Sequence, residues 1–194
     1  MADALGERSV DESMREKTIT FTSGDVPLEK LAVPERIRQI KDEPGRMTNT
    51  AAVSFFTAYA YRLFRKNYYF LSLKIFDRST DAKSMDRLAT AQQDFLAGVE
   101  ALAKDYAQWL CLDNTLARRQ FSDIVELSPA CTHLRQAFIK MDRFLIPPYL
   151  ARTGGLIAQP ELALITEGVG RLVKELLVSI DDKRSAAVGA HPTP

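Results

Sequence analysis

The sequence predicts a mainly α-helical protein with two or three short β-strands. Two amphipathic stripes set the helical majority. From Lys83 to Leu110 the apolar residues Leu88, Phe95, Leu96, Val99, Leu102, Tyr106, Trp109 and Leu110 recur at helical spacing, opposite Asp86, Arg87, Gln93, Asp94, Glu100, Lys104 and Asp105. From Pro160 onward Leu162, Ile165, Val169, Leu172, Leu176 and Ile180 do the same, a stripe that suits helix pairing or a dimer seam. The strands show as short runs of β-branched and aromatic residues, Val53–Thr57 and the run DIVEL beginning at Asp123, each leading straight into helical spacing. Two units of one pattern, strand then helix, thus stand at Val53–Arg65 and Ile124–Arg143 and could pair strand to strand, although their sequences do not read as a repeat.

In chain order, residues 1–16 are polar and without periodicity and read as a tail; residues 182–194 (DKRSAAVGAHPTP) read the same way, leaving a single domain over 17–181. That domain opens on KTITFTS, residues 17–23, where Ile19 and Phe21 alternate with Thr18, Thr20 and Thr22 as in a half-buried strand. Leu28–Lys41 is expected to hold a short helix broken by Pro34, and Asp42–Asn49, with Pro44 and Gly45, a loop. From about Ala58 the chain turns helical. Ser128 and Pro129 are an N-cap and a proline at the first helical position, opening a helix to about Ile146 that buries Leu134, Ala137, Phe138, Met141 and Leu145. Pro147 and Pro148 are expected to interrupt it, with Gly154 and Gly155 ending the segment.

A composition of 46% hydrophobic and 26% charged residues excludes disordered and fibrous classes, while a formal charge of +1 supplies no overall field for nucleic acid. Any such binding must come from a local patch. Cys111 and Cys131 sit in apolar contexts without CxxC spacing, as buried free thiols in a reducing compartment do. The charged first residues lack the apolar core of a signal peptide, and no apolar run is long enough to span a bilayer, so the expectation is a cytoplasmic protein without membrane association. With His133 and His191 as the histidines, no GxxxxGK[ST] and no GxGxxG, hydrolytic, zinc and nucleotide chemistry are unsupported. Asp181 with Asp182, and Asp42 with Glu43, read as solvated surface. The expectation is a binding protein rather than an enzyme, with no cofactor and no metal.

One charged segment stands apart. From Arg46 to Arg78 the basic residues Arg46, Arg62, Arg65, Lys66, Lys74 and Arg78 face Asp77 as the only acid. In a helix Arg62, Arg65 and Lys66 fall at i, i+3 and i+4, a face that could follow a phosphate backbone or simply be solvated; Thr48, Asn49 and Thr50 add polar donors nearby. The aromatics Tyr59, Tyr61, Tyr68, Tyr69, Phe55, Phe56, Phe64 and Phe70 match buried helical positions better than a base-stacking platform. The threonines of TITFTS fit either an edge strand or a ribbon in a major groove.

Two segments resemble the AcaB-like regulators, a family of integrating conjugative element proteins: AVSFFTAYAYRLFRK at 52–66 and VELSPACTHLRQAFIKMDRFLIPPYLARTGGLI at 125–157. The first is similar to the family's strand running into a helix with Arg-Leu-Phe and basic residues, here Arg62, Leu63, Phe64, Arg65 and Lys66. The second is similar to its strand, Ser-Pro, aspartate-bearing helix and Gly-Leu-Ile, here Ser128, Pro129, Asp142, Gly155, Leu156 and Ile157. Cys131, His133, Pro147 and Pro148 depart from that pattern. The resemblance implies a transcriptional activator of conjugative transfer, related in structure to ribbon-helix-helix proteins, with helices packed around a short antiparallel ribbon. It would act as a homodimer on double-stranded DNA, with strands too short for a stable sheet completed by a partner chain. Arg46, Arg62, Arg65 and Lys66 would contact phosphates and Thr48 or Asn49 lie near the groove. The alternative of a different class is an adaptor of the transfer machinery that binds protein partners.

Overall fold

The computed structural model describes residues 28–78, 82–111 and 119–181, so the strand expected at 17–23 lies outside the described residues. Pro34 restricts the chain before it to extended backbone, and Leu28–Lys30 is a strand, β1, where a helix was expected. Helix α1, Glu35–Asp42, starts only after the proline, whose carbonyl accepts from Ile37 N and Arg38 N. Strand β2 runs over Asn49–Phe55, earlier than its apolar run, because its polar first half pairs with a second strand. Helix α2 follows over Ala58–Arg78, α3 over Ala82–Ala103, and the continuous helix expected to Leu110 tightens into a 3-10 segment over Lys104–Cys111. Strand β3 is Arg119–Glu126, α4 Pro129–Thr153 and α5 Gln159–Asp181. The fold is mainly helical with one small sheet.

Thr57 is not the last strand residue but the cap of α2. Its hydroxyl accepts from Ala60 N at 3.3 Å and donates to Asp142 Oδ1 at 2.7 Å. Helix α4 does not stop at Pro147 and Pro148 but continues to Thr153. Both prolines and the flanking Leu145, Leu150 and Ala151 are buried, so packing on both sides of the lost hydrogen bonds offsets a cost of about 3 kcal/mol per interior proline. Gly155, at φ +73°, then takes the left-handed position that ends the segment.

The two expected strands do pair with each other. β2 and β3 are antiparallel, from Asn49 opposite Glu126 to Phe55 opposite Arg119, and β1 adds to the far edge of β3 in parallel, giving the order β1-β3-β2. The sheet therefore closes within one chain, and the reason for expecting a partner's strand falls away. A register shift between Ala51 and Val53 sets Ala52 against both Ser122 and Asp123, and Asp123 takes φ +56°, a conformation aspartate tolerates at a bulge.

Under the sheet lies an aromatic core. Phe64 sits 5.0 Å from Phe55, 4.5 Å from Tyr68 and 5.5 Å from Phe138, and Tyr61 stacks on Phe121 at 4.9 Å. Phe56 and Phe70 are the aromatics of that segment left exposed. Helix α3 lies along both α4 and α5, and α2 along α4, whereas α2 scarcely touches α3 and α4 scarcely touches α5. The α5 stripe read as a possible dimer seam is thus filled by α3 of the same chain. The two helices come close because Gly98 receives Leu172 and Gly168 receives Leu102; a Cβ at Gly168 would stand 2.8 Å from a Leu102 methyl. Gly168→Val should lower stability by about 2 kcal/mol, and adding Leu102→Ala should lose less than the two single changes together, as urea unfolding would show.

Candidate nucleic-acid interface

Side chains alternate across β2, so Ala51, Val53 and Phe55 face the core and Thr50, Ala52 and Ser54 form the outer row. On β3 the outer row is Gln120 and Ser122, while Val125, opposite Thr50, is buried. The row is short, polar and nearly neutral, with Lys30 and Asp123 paired at 3.6 Å beside it.

Charge gathers at the end of the ribbon where β2 finishes and β3 begins. Arg62, Arg65 and Lys66 are exposed on the first turns of α2, and Arg119, the first residue of β3, lies over the Tyr61 ring at 4.9 Å. Burial pushes the Tyr61 phenol up, as does its hydrogen bond to Glu29, while Arg65 pulls the other way. Burial also raises Tyr59 and Tyr149, with Arg62 beside both working against it. Arg62, Arg65 and Lys66 take no part in the ion pairs Lys30–Asp123, Arg36–Asp77, Arg38–Glu35 and Arg135–Glu126.

The six residues singled out from the sequence do not form one patch. Arg46 lies over the Phe76 ring at 4.2 Å, at the far end of α2, and Thr48 and Asn49 are at that same end of β2. Fourteen residues of helix from Arg62 to Phe76 separate the groups by about 21 Å. Thr48 is half-buried and Asn49 exposed opposite Glu126. Periodicity within α2 grouped Arg62, Arg65 and Lys66 correctly, but it carries no information about which end of the helix meets the loop before it.

Besides Arg119, two cations were missed. A groove of about 550 Å³ between α2 and α5 has Leu63, Val173 and Leu177 as apolar lining and Lys66, Arg171 and Lys174 as its basic residues, with Glu167 the one carboxylate among those lining it. Arg171 and Lys174 are three apart on α5 and share a face, a signal present in the sequence but overshadowed by the apolar stripe on the opposite side.

The chain matches no family model, no curated protein and no solved structure. The AcaB-like resemblance therefore rests on the two segments quoted, and the structure assigns their residues places. Asp142, the aspartate of the second segment, is 1% exposed and accepts from Phe56 N at 2.7 Å, Thr57 N at 2.9 Å and the Thr57 hydroxyl, tying α4 to the turn that opens α2. Burial raises its pKa, against these three hydrogen bonds. Glu126, also buried, accepts from Thr132 Oγ1 at 2.8 Å and Arg135 Nε at 2.5 Å, which satisfies its carboxylate inside the fold. Replacing Arg135 by Met would leave that carboxylate short of its charged partner and should destabilise the chain by about 3 kcal/mol in chemical denaturation. Cys131 is buried and free. Among the described residues, no group of three or more His, Cys, Asp or Glu side chains is placed to hold a metal, and no helix is long and apolar enough to cross a membrane.

Proposed function

We propose that the chain is a double-stranded-DNA-binding transcriptional regulator, an activator of conjugative-transfer genes, of the ribbon-helix-helix type and without catalytic activity of its own. The observation that carries this reading is the antiparallel β2–β3 pair with its polar outer row, each strand running directly into a helix. A two-stranded ribbon is narrow enough for a major groove, where Thr, Ser and Gln side chains exchange hydrogen bonds with base edges; β1 adds a third strand along Gln120–Ser122 of β3, so the edge that would enter the groove is β2. Arg62, Arg65, Lys66 and Arg119 flank one end of it and would hold phosphates and fix the register. Arg46, Thr48 and Asn49 stand at the other end and would meet the duplex about two-thirds of a helical turn away. A partner strand is not needed to complete the ribbon, so a homodimer would join two finished ribbons.

Fluorescence anisotropy with the duplex upstream of the neighbouring transfer genes, and with a scrambled duplex, at several salt concentrations tests the reading. Tight, site-selective and salt-dependent binding is the expected result. Equal weak binding to both duplexes would overturn it in favour of the second reading, a protein-binding adaptor of the transfer machinery, for which the α2–α5 groove with its apolar lining and basic rim is the observation.

A further inference from the structure

Residues 49–103 and 119–181 repeat one order of elements: a strand, a long helix and a second helix. Three features of the contact between these halves persist when the halves are exchanged. The strands pair antiparallel, so each plays the same part toward the other. Gly98 receives Leu172, and Gly168 receives Leu102. The turn opening α2 is held by Asp142 of α4, and the turn opening α4 meets Ser72 of α2, whose carbonyl lies 3.7 Å from Cys131 Sγ. The exchanged residues Ser72 and Asp142, Gly98 and Gly168, and Leu102 and Leu172 are each 70 positions apart; the remaining exchange is looser, since Ser72 is met by Cys131 and not by Ser128, the residue that opens α4 as Thr57 opens α2. Around the last pairs the sequences agree in part, GVEALAK at 98–104 and GVGRLVK at 168–174. Reciprocity of this kind is the signature of an isologous, two-fold interface. Here it lies inside one chain.

We infer that the protein is a fused pair of strand–helix–helix units that engages duplex DNA as a single chain with unequal halves, an inference that rests on the DNA-binding reading above. The seam through which such a unit would pair with a second copy is already filled by α3 against α5. The halves differ in charge: along the helices, where Ser72 matches Asp142, the offset is 70, so Arg62 and Lys66 on α2 correspond to Thr132 and Gln136 on α4, while Arg65 corresponds to Arg135, whose guanidinium is taken up by Glu126. They differ at the edge as well, since β1 flanks β3 but not β2. A symmetric pair reads two equal half-sites. This chain instead suits a non-palindromic site, with its phosphate contacts concentrated on the β2–α2 half.

The test sets the whole chain against a short random-sequence duplex over a salt series, with particle mass by sedimentation velocity free and on DNA. One chain per particle, free and bound, is expected. Arg62→Ala with Lys66→Ala should reduce the salt slope by about two, and Gln136→Lys, which gives α4 the counterpart of Lys66, should raise it by about one and tighten binding several-fold. If the first pair weakens binding while Gln136→Lys leaves slope and affinity unchanged, the equivalence of the halves is overturned and the DNA-binding reading stands. Two chains in every bound particle would also overturn the single-chain inference. If the unaltered chain fails to bind any duplex, the DNA-binding reading itself fails and this inference with it.

Discussion

Asp142→Ala is expected to lower the unfolding free energy by about 4 kcal/mol. Its carboxylate is the shared acceptor for two backbone N–H groups and the Thr57 hydroxyl at the start of α2, all buried or partly buried, and alanine would leave them without it. An unsatisfied buried donor costs about 1–3 kcal/mol, and the loss also removes a negative charge from a helix N-terminus. Asp142→Asn keeps one acceptor oxygen but turns an N–H group toward a donor, so it should recover only part of the loss. Urea denaturation of the three proteins checks the order.

The same residue gives a pH dependence with a defined sign. Burial raises the folded-state pKa of Asp142 above its ordinary value. Its titration therefore contributes stability that is fully present below about pH 4 and is lost as pH rises through the raised folded value. Asp142→Asn removes that titration, so the difference in stability between the two proteins should narrow as pH rises from 4 toward neutrality. A difference that stays constant with pH would mean that Asp142 has the same pKa folded and unfolded.

The second large effect concerns DNA. Arg62→Glu with Lys66→Glu should weaken duplex binding on the order of 100-fold near physiological salt and flatten its salt dependence, because two phosphate contacts are both lost and reversed. Both side chains are exposed on α2, so stability should change by no more than about 0.5 kcal/mol. Arg46→Glu is the informative companion, since Arg46 lies about 21 Å away along α2. Equal losses from both changes would place both ends of the ribbon on the duplex, whereas a loss confined to Arg62 and Lys66 would place the contact at the β2–α2 end. Unchanged binding in both would remove this site from the proposal.

How far each of these residues was visible in the sequence follows from the range of its interactions. Ser128 with Pro129 announced the start of α4 because residue preferences at a helix start are local, although the Ser128 hydroxyl turns to Cys131 Sγ at 3.4 Å and makes no capping hydrogen bond; Val53 and Phe55 announced a strand because alternation is local. Thr57 was read as strand because its neighbours are β-formers; its capping role depends on Asp142, 85 residues away. Pro147 and Pro148 were read as a break because interior proline ordinarily is one, and burial on both sides reversed that outcome. Arg119 was not singled out at all, since the pair Arg118–Arg119 belongs to no helical or alternating pattern; only the position of Tyr61 beneath Arg119 brings it to the basic cluster.

What the sequence determined by itself is the class of each main element: amphipathic helices, two short strands that each run into a helix, and a basic face at Arg62, Arg65 and Lys66. These are set by periods of two and 3.6 residues and by caps, all contained within a few turns of chain. The tertiary structure alone decided that the two strands close a ribbon within one chain, that the α5 stripe is spent on α3, and that Arg46 lies apart from Arg62. Periodicity tells which side of an element seeks cover but not what covers it. Here the cover is chosen by close-range fits such as Gly98 with Leu172 and Thr57 with Asp142, between residues more than seventy positions apart.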